Sequence, residues 1–244
     1  MPESPEPTLD DRLHEVWLDA ARRGTTMPSE PSLAASLSTS RPAVREALVR
    51  LEERGYIHRR KGAGTVVNAS LLDIPARFDR QVDKSALIAA MGHVPRVDVL
   101  SVERTRITLD EAQDHELAPG TTVLRVHKRW SADDQPVMLA RDVVPVLRPG
   151  PDPAAGTDGE VDPAAPMVEV ALALTGERVG WEVVWPGAAA LSEEDAALTG
   201  HEVGEPALTL GVTGVGRSGR VVYWTSEVHL RGAFRYAMVR RADW

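Results

Sequence analysis
The sequence predicts an α+β protein of two unlike parts, and three observations point there. Between Asp11 and Val67, three helical patterns are followed by two short β-prone runs around a basic, glycine-rich tip. Between Leu109 and His229, a helix–strand–turn–strand pattern occurs twice without a gap. Charge divides along the same line. The 244 residues carry a net charge of −8, yet Thr26 to Val67 holds Arg41, Arg45, Arg50, Arg54, Arg59, Arg60 and Lys61 against Glu30, Glu46, Glu52 and Glu53. A basic module joined to an acidic one fits a polyanion binder fused to a different function.

The hydrophobic share of 43% leaves ample material for a core. The absence of cysteine excludes disulfides and thiolate zinc sites. No apolar run approaches the ~20 residues of a membrane span. The opening MPESPEPTLDDR is acidic and proline-rich, the reverse of a signal peptide, so a cytoplasmic location is expected.

The first helix covers Asp11–Arg23, with Leu13, Val16, Trp17 and Ala20 at three- and four-residue spacing and Gly24 as its stop. The second starts at Ser29, a good N-cap, with Pro31 tolerated in the first turn and Leu33, Ala34 and Leu37 facing inward. The third starts at Ser40. Pro42 sits where an intrahelical N–H would be unsatisfied anyway, and Val44, Ala47, Leu48 and Leu51 form the inner face. Tyr56–Arg59 and Thr65–Val67 then flank Lys61–Gly64 as a two-stranded wing. Three helices and a hairpin make a winged helix-turn-helix. Arg41 and Arg45 lie one turn apart at the start of its third helix, the end that enters a major groove to meet phosphates and guanine edges. Such arginines could equally be a solvated face; the helix order, tight turn and basic wing together favour DNA.

MPSEPSLAASLSTSRPAVREALVRLEERGYIHRRKGAGTVV resembles the DNA-binding domain of the GntR family over about residues 9–68. The resemblance implies that Ser40, Arg41 and Arg45 contact an operator in the major groove, and that Gly62 with Lys61 and Gly64 brings the wing to the minor groove. Ser29 and Pro42 complete the expected DNA face. Two departures stand out: Pro31 replaces an arginine that follows the Ser-Glu pair in relatives, and Pro42 replaces a threonine.

Residues 1–68 are read as the DNA-binding domain and 69–79 as a linker, since NASLLDIPARFD keeps no sustained period. Residues 80–244 form the second domain. In its repeat Ala112 falls on Ala196, Gly120 on Gly204, Leu124 on Leu208 and Val137 on Val221. With Asp98–Ile107 and Arg178–Trp185 as further strands, one antiparallel sheet with helices on one side is expected, with a ligand cleft between the halves. Arg148 to Ala165, rich in Pro, Gly and Asp, reads as a mobile loop.

SALIAAMGHVP, VLSVERTRI, the first repeat copy and VHLRGAFRY together resemble the UTRA effector-binding domain of the HutC subgroup, with the fold of chorismate lyase. That resemblance implies a homodimeric, ligand-responsive transcription factor, a repressor, on a two-fold symmetric operator. Relatives hold sugar phosphates with two arginines where this chain has Lys128 and Trp130. An indole there favours a ring or hydrophobic group. Ser85 keeps the place where relatives cradle an anion on free N–H groups. Arg141, Trp181 and Trp224 complete the candidate effector set, although core packing is the plainer reading of any single Trp. The expected effector is a moderately hydrophobic, aromatic or polycyclic metabolite with at most one acidic group.

The alternative is an enzyme with the chorismate lyase-like fold acting on a small aromatic acid. Against it, the seven histidines are scattered singly and no HExxH, GxSxG, P-loop or spaced metal-ligand set occurs, so no cofactor or metal is expected. A purely architectural DNA binder would leave the acidic second domain without a role.

Overall fold
In the computed structural model, residues 7–60, 64–74, 76–77, 83–148, 161–231, 234 and 236–240 are described. The chain divides into two compact units. One is Met1–Arg80 with Tyr236–Trp244, the other Gln81–Arg235.

The first unit opens with α1 (Leu9–Arg23), where Thr8 and Asp11 cap each other reciprocally. Helix α2 (Glu30–Ser36) starts from Ser29 and α3 (Arg41–Glu53) from Ser40, the N-caps expected. Between them Ser38 takes a left-handed conformation, φ 50°, which tightens the turn. Strands β1 (Ile57–Arg60) and β2 (Gly64–Val67) pair antiparallel as the wing. Leu13, Trp17, Leu33, Val44, Leu48 and Leu51 close the core, each large aliphatic contributing ~1.5–3 kcal/mol by its burial. The buried Trp17 donates its indole N–H to the Tyr56 carbonyl at 2.8 Å, so its one polar atom is satisfied.

The segment read as a linker is folded onto this unit. A 3-10 turn at Ala69–Asp73 buries Leu71 in the helical core, and β3 (Ala76–Arg77) follows. Burial of Leu71 needs no sequence period, so periodicity could not reveal it.

In the second unit α4 (Lys84–Ala90) precedes β4 (Pro95–Arg106), α5 (Leu109–Asp114), β5 (Thr122–Ala132) and β6 (Gln135–Pro145). Then come α6 (Met167–Thr175), β7 (Val179–Ala190), α7 (Glu193–Thr199), β8 (Pro206–Gly216) and β9 (Val221–His229). The six strands form one antiparallel sheet in the order β4-β5-β6-β9-β8-β7. The repeat is visible in this order, each half counting inward from its own edge. Its offset of 84 residues separates Pro95 from Val179 and Thr122 from Pro206.

Helices cover both faces rather than one. Ala112 of α5 packs on Val123 and Val143, and Ala196 of α7 on Leu139 and Val228, so the repeated helices share a face. Ile88 of α4 packs on Trp130, Met138 and Ala140, and α6 lies against β6 and β9 on that opposite face. The nearly continuous burial of β6 is the consequence of two covered faces. The final strand β10 (Tyr236–Ala237) pairs in parallel with β3, and Val239 packs against the helical core of the first unit. The sequence reading ran its second domain to residue 244; from Tyr236 the chain instead joins the first unit. Residues 149–160 of the expected loop lie outside the described residues, and no described helix is long and apolar enough to cross a membrane.

Candidate nucleic-acid interface and ligand pocket
At the start of α3 the Ser40 hydroxyl accepts the Ala43 N–H at 3.3 Å, and at α2 the Ser29 hydroxyl accepts that of Ser32 at 3.4 Å. Both serines are therefore helix caps as well as candidate DNA contacts. Arg41, Pro42 and Arg45 are exposed, while Val44, Ala47 and Leu48 turn inward. Arg45 is held by Glu30 of α2, Nη2 to Oε2 at 2.9 Å, and this pairing keeps the Glu30 carboxyl below its ordinary range. Arg50 and Arg59 are tied internally, to Asp10 at 2.6 Å and Glu52 at 2.7 Å. The basic cluster is thus partly structural, while Arg41 and Arg45 stay exposed at the α3 N-terminus and Arg54 at its C-terminal end. Gly64 is exposed at the start of β2, whereas Lys61 and Gly62 lie outside the described residues.

The effector candidates separate by strand parity. The registers set Trp130, Met138, His229 and Leu208 in one row, and Lys128, Ala140, Glu227 and Leu210 in the next. This is the face beneath α4 and α6. Arg141, Trp181 and Trp224 fall on alternate positions and face the other way. Arg141 donates to Asp195 at 2.6 Å, and Trp224 stacks on His115 with ring centroids 4.0 Å apart, fastening α7 and α5 respectively. Trp181 is 54% exposed on the edge strand β7. Ser85 sits just inside α4, but the Asp83 carboxylate already accepts the Ala86 N–H at 2.8 Å, so an anion is built into that helix start.

Lys128 is 1% exposed and committed. Its ammonium lies 3.1 Å from Asp142, donates to the Ala165 carbonyl at 3.2 Å and sits 5.5 Å above the Trp130 ring. Burial pushes the Asp142 carboxyl above its usual range. On β9, Glu227 takes His229 at 2.8 Å and Lys84 of α4 at 3.1 Å; these partners outweigh burial and lower its carboxyl, while burial lowers the His229 imidazole. Nearby, Tyr223 donates to Glu182, and Gly214 leaves the flat space over which the Tyr223 ring lies. Sequence reasoning missed Asp142, Glu227 and His229. The signal was the run Tyr223, Thr225, Glu227, His229 at every second position of a strand otherwise apolar enough to be buried.

A pocket of about 420 Å³ opens where these rows end, lined by Pro206, Leu208, His229, Leu230, Arg231 and Phe234. Phe234 meets His229 edge-on, centroids 5.6 Å apart, and packs with the cluster containing Trp130. The lining is apolar and aromatic with one guanidinium, from the exposed Arg231.

Residues 13–67 match the family of bacterial regulatory proteins called gntR, and residues 90–155 match the UTRA domain. The HTH-type transcriptional regulator Mce2R of Mycobacterium tuberculosis (strain CDC 1551 / Oshkosh) is 35% identical over 118 residues, 44% of this chain. The chain spans about half the length of that relative, 49%. The HTH-type transcriptional regulator Rv0792c of Mycobacterium tuberculosis (strain ATCC 25618 / H37Rv) is 27% identical over 81% of this chain and 71% of its own length. Among solved structures, YydK of Bacillus subtilis subsp. subtilis str. 168 shares the fold with a TM-score of 0.70 at 13% identity, over 96% of this chain and 99% of that one. PhnF of Mycobacterium smegmatis does so with 0.59 at 18%, over 97% and 100%.

Proposed function
The chain joins a gntR-family helix-turn-helix domain to a UTRA domain, and from that premise we propose a cytoplasmic, ligand-responsive transcription regulator. It acts as a repressor, two copies reading a two-fold symmetric operator. The observation that carries the DNA reading is the pair Arg41 and Arg45, exposed one turn apart at the capped start of α3 beside a two-stranded wing. Ser29, Ser40 and Pro42 frame that helix end, and Lys61, Gly62 and Gly64 are the DNA contacts proposed beside it.

The effector belongs beneath α4, at the pocket lined by Leu208, His229, Leu230 and Phe234, with Trp130 behind it and Arg231 at its edge. Such a lining suits an aromatic or hydrophobic body with one acidic group. Lys128 takes part through Trp130 and the buried charge network rather than as a direct anion ligand. Effector binding favours one disposition of the paired DNA-binding domains, which requires different affinities for the two states; a coupling of ~1–3 kcal/mol is ordinary.

Isothermal titration tests the pocket. Aromatic monocarboxylates are expected to bind, with affinity lost in Arg231→Ala and Leu208→Glu. Binding of sugar phosphates alone would contradict the assignment.

A further inference from the structure
Both sides of the short β3–β10 pair reach the same place, the C-terminal end of α3. From β3, the buried Arg77 donates to the Arg54 carbonyl at 2.9 Å, and its guanidinium lies 4.7 Å from the centre of the Tyr56 ring. A cation there meets carbonyls that lack helical partners and the negative end of the helix dipole. On the other side, Val239 follows β10 and packs over Gly55, whose left-handed backbone, φ 78°, and missing side chain leave it room. Asn68 completes the grip. Its side-chain amide donates to the Gly55 carbonyl at 3.2 Å, and its backbone N–H to the Tyr56 carbonyl at 2.8 Å. A parallel ladder of two residues a strand is not stable by itself, so the pair stays docked through these contacts. Such an element opens before the core around it does.

What hangs on that end is α3 itself. Its 13 residues make a rod ~20 Å long, with Arg41 and Arg45 toward the far end, so a small pivot at Arg54 and Gly55 displaces both guanidinium groups. The chain itself ties β10 to the ligand pocket. Leu230, Arg231 and Phe234 line the pocket, Phe234 packs with the cluster containing Trp130, and Tyr236 of β10 is only two residues further on. We propose that β10 is a latch on the DNA-reading helix. Docked on β3, it fixes the C-terminal end of α3; released, it frees that end and weakens DNA binding. An occupant of the pocket that moves Phe234 acts on the latch through the backbone. The inference rests on the proposed function and deepens it, by naming the segment through which pocket occupancy reaches α3.

Hydrogen exchange on the full chain, with a removable lock, tests the latch. Val239→Asp is expected to speed exchange in the last turn of α3 and at Tyr56 while leaving α1 unchanged. It is also expected to weaken binding to the promoter segment adjoining the gene by roughly tenfold, a coupling of ordinary size. Phe234→Ala, at the pocket, is expected to speed exchange at Tyr236 and Ala237. The lock is Ala76→Cys with Tyr236→Cys, register partners in a chain that has no cysteine of its own. Neighbouring strands lie ~4.8 Å apart, within disulfide range. Oxidation of this pair, placed in either variant, is expected to restore slow exchange, and in Val239→Asp the DNA affinity as well; reduction should remove both again. Unchanged exchange in Phe234→Ala overturns the proposal, and so does a lock that forms without restoring anything. Should Val239→Asp fail to fold, Phe234→Ala with and without the lock decides the matter. The exchange arms contain no DNA. A chain that ignores DNA therefore strikes the DNA reading alone, whereas unchanged exchange strikes the latch alone.

Discussion
Arg45 of α3 is clamped by Glu30 of α2, its Nε and Nη2 both donating to Oε2 at 3.2 and 2.9 Å. The pair is exposed, so it adds little to stability and is easily exchanged for a stronger anion. If Arg45 contacts DNA as proposed, Glu30 competes with phosphate or a guanine edge for its Nε and Nη2. Glu30→Gln is therefore expected to leave the melting temperature nearly unchanged and to raise DNA affinity, most clearly at low salt, by fluorescence anisotropy. A fall in affinity would mean that Glu30 positions the guanidinium rather than competing for it. Arg45→Ala is expected to weaken specific binding by roughly one to two orders of magnitude if the side chain reads guanine bidentately.

The buried pair Lys128–Asp142 predicts a different pattern. Removing one partner leaves the other charge buried without compensation, at a cost of ~3–5 kcal/mol, while replacing both by apolar residues is close to neutral. Lys128→Met should accordingly lower stability by about that amount in urea denaturation, and Lys128→Met with Asp142→Leu should recover most of it. Equal losses in the single and double variants would show that packing, not charge, governs the site.

Acid stability should carry the mark of Glu111. Arg125 grips its carboxylate with two bonds of 2.7 Å, and Thr108 adds its backbone N–H and hydroxyl, holding the carboxyl at about 2 against an ordinary 4.5. A carboxyl whose value is depressed in the folded state contributes stability above its unfolded value, and loses it as pH falls toward the folded one. The second unit should thus weaken between pH ~4.5 and ~2, and Glu111→Gln should flatten that part of the profile in pH-dependent denaturation.

The returning C-terminal strand can be weighed through two glycines. Gly24 and Gly55 both have left-handed backbones, φ 64° and 78°, but a methyl group on Gly24 meets open space while one on Gly55 comes 2.8 Å from Val239. Alanine at Gly24 should cost ~1–2 kcal/mol from backbone strain. Gly55→Ala should cost more and also speed hydrogen exchange at Tyr236 and Ala237. Unchanged exchange there would show that Val239 yields without loosening the β3–β10 pair.

Local chemistry made the first unit legible. Ser29 and Ser40 cap their helices because the serines, prolines and apolar spacing all lie within a few residues of each other. The repeat was equally readable, since identical spacing in Ala112/Ala196 and Leu124/Leu208 needs no knowledge of pairing. What failed to show was non-local. The parity that separates Arg141, Trp181 and Trp224 from Lys128 and Trp130 depends on strand register, and the docking of β10 on β3 joins residues more than half the chain apart. Nothing in the spacing of NASLLDIPARFD reveals that Leu71 is buried.

The most direct test of the account is an anisotropy titration of the full chain against the promoter segment adjoining its own gene, beside a scrambled duplex, in dilute salt and then at 200 mM. The account predicts a marked preference for the promoter segment, erased by Arg41→Ala with Arg45→Ala, and an affinity for both duplexes that falls steeply as salt rises. Equal, weak binding to both duplexes, unchanged in the double variant, would contradict it.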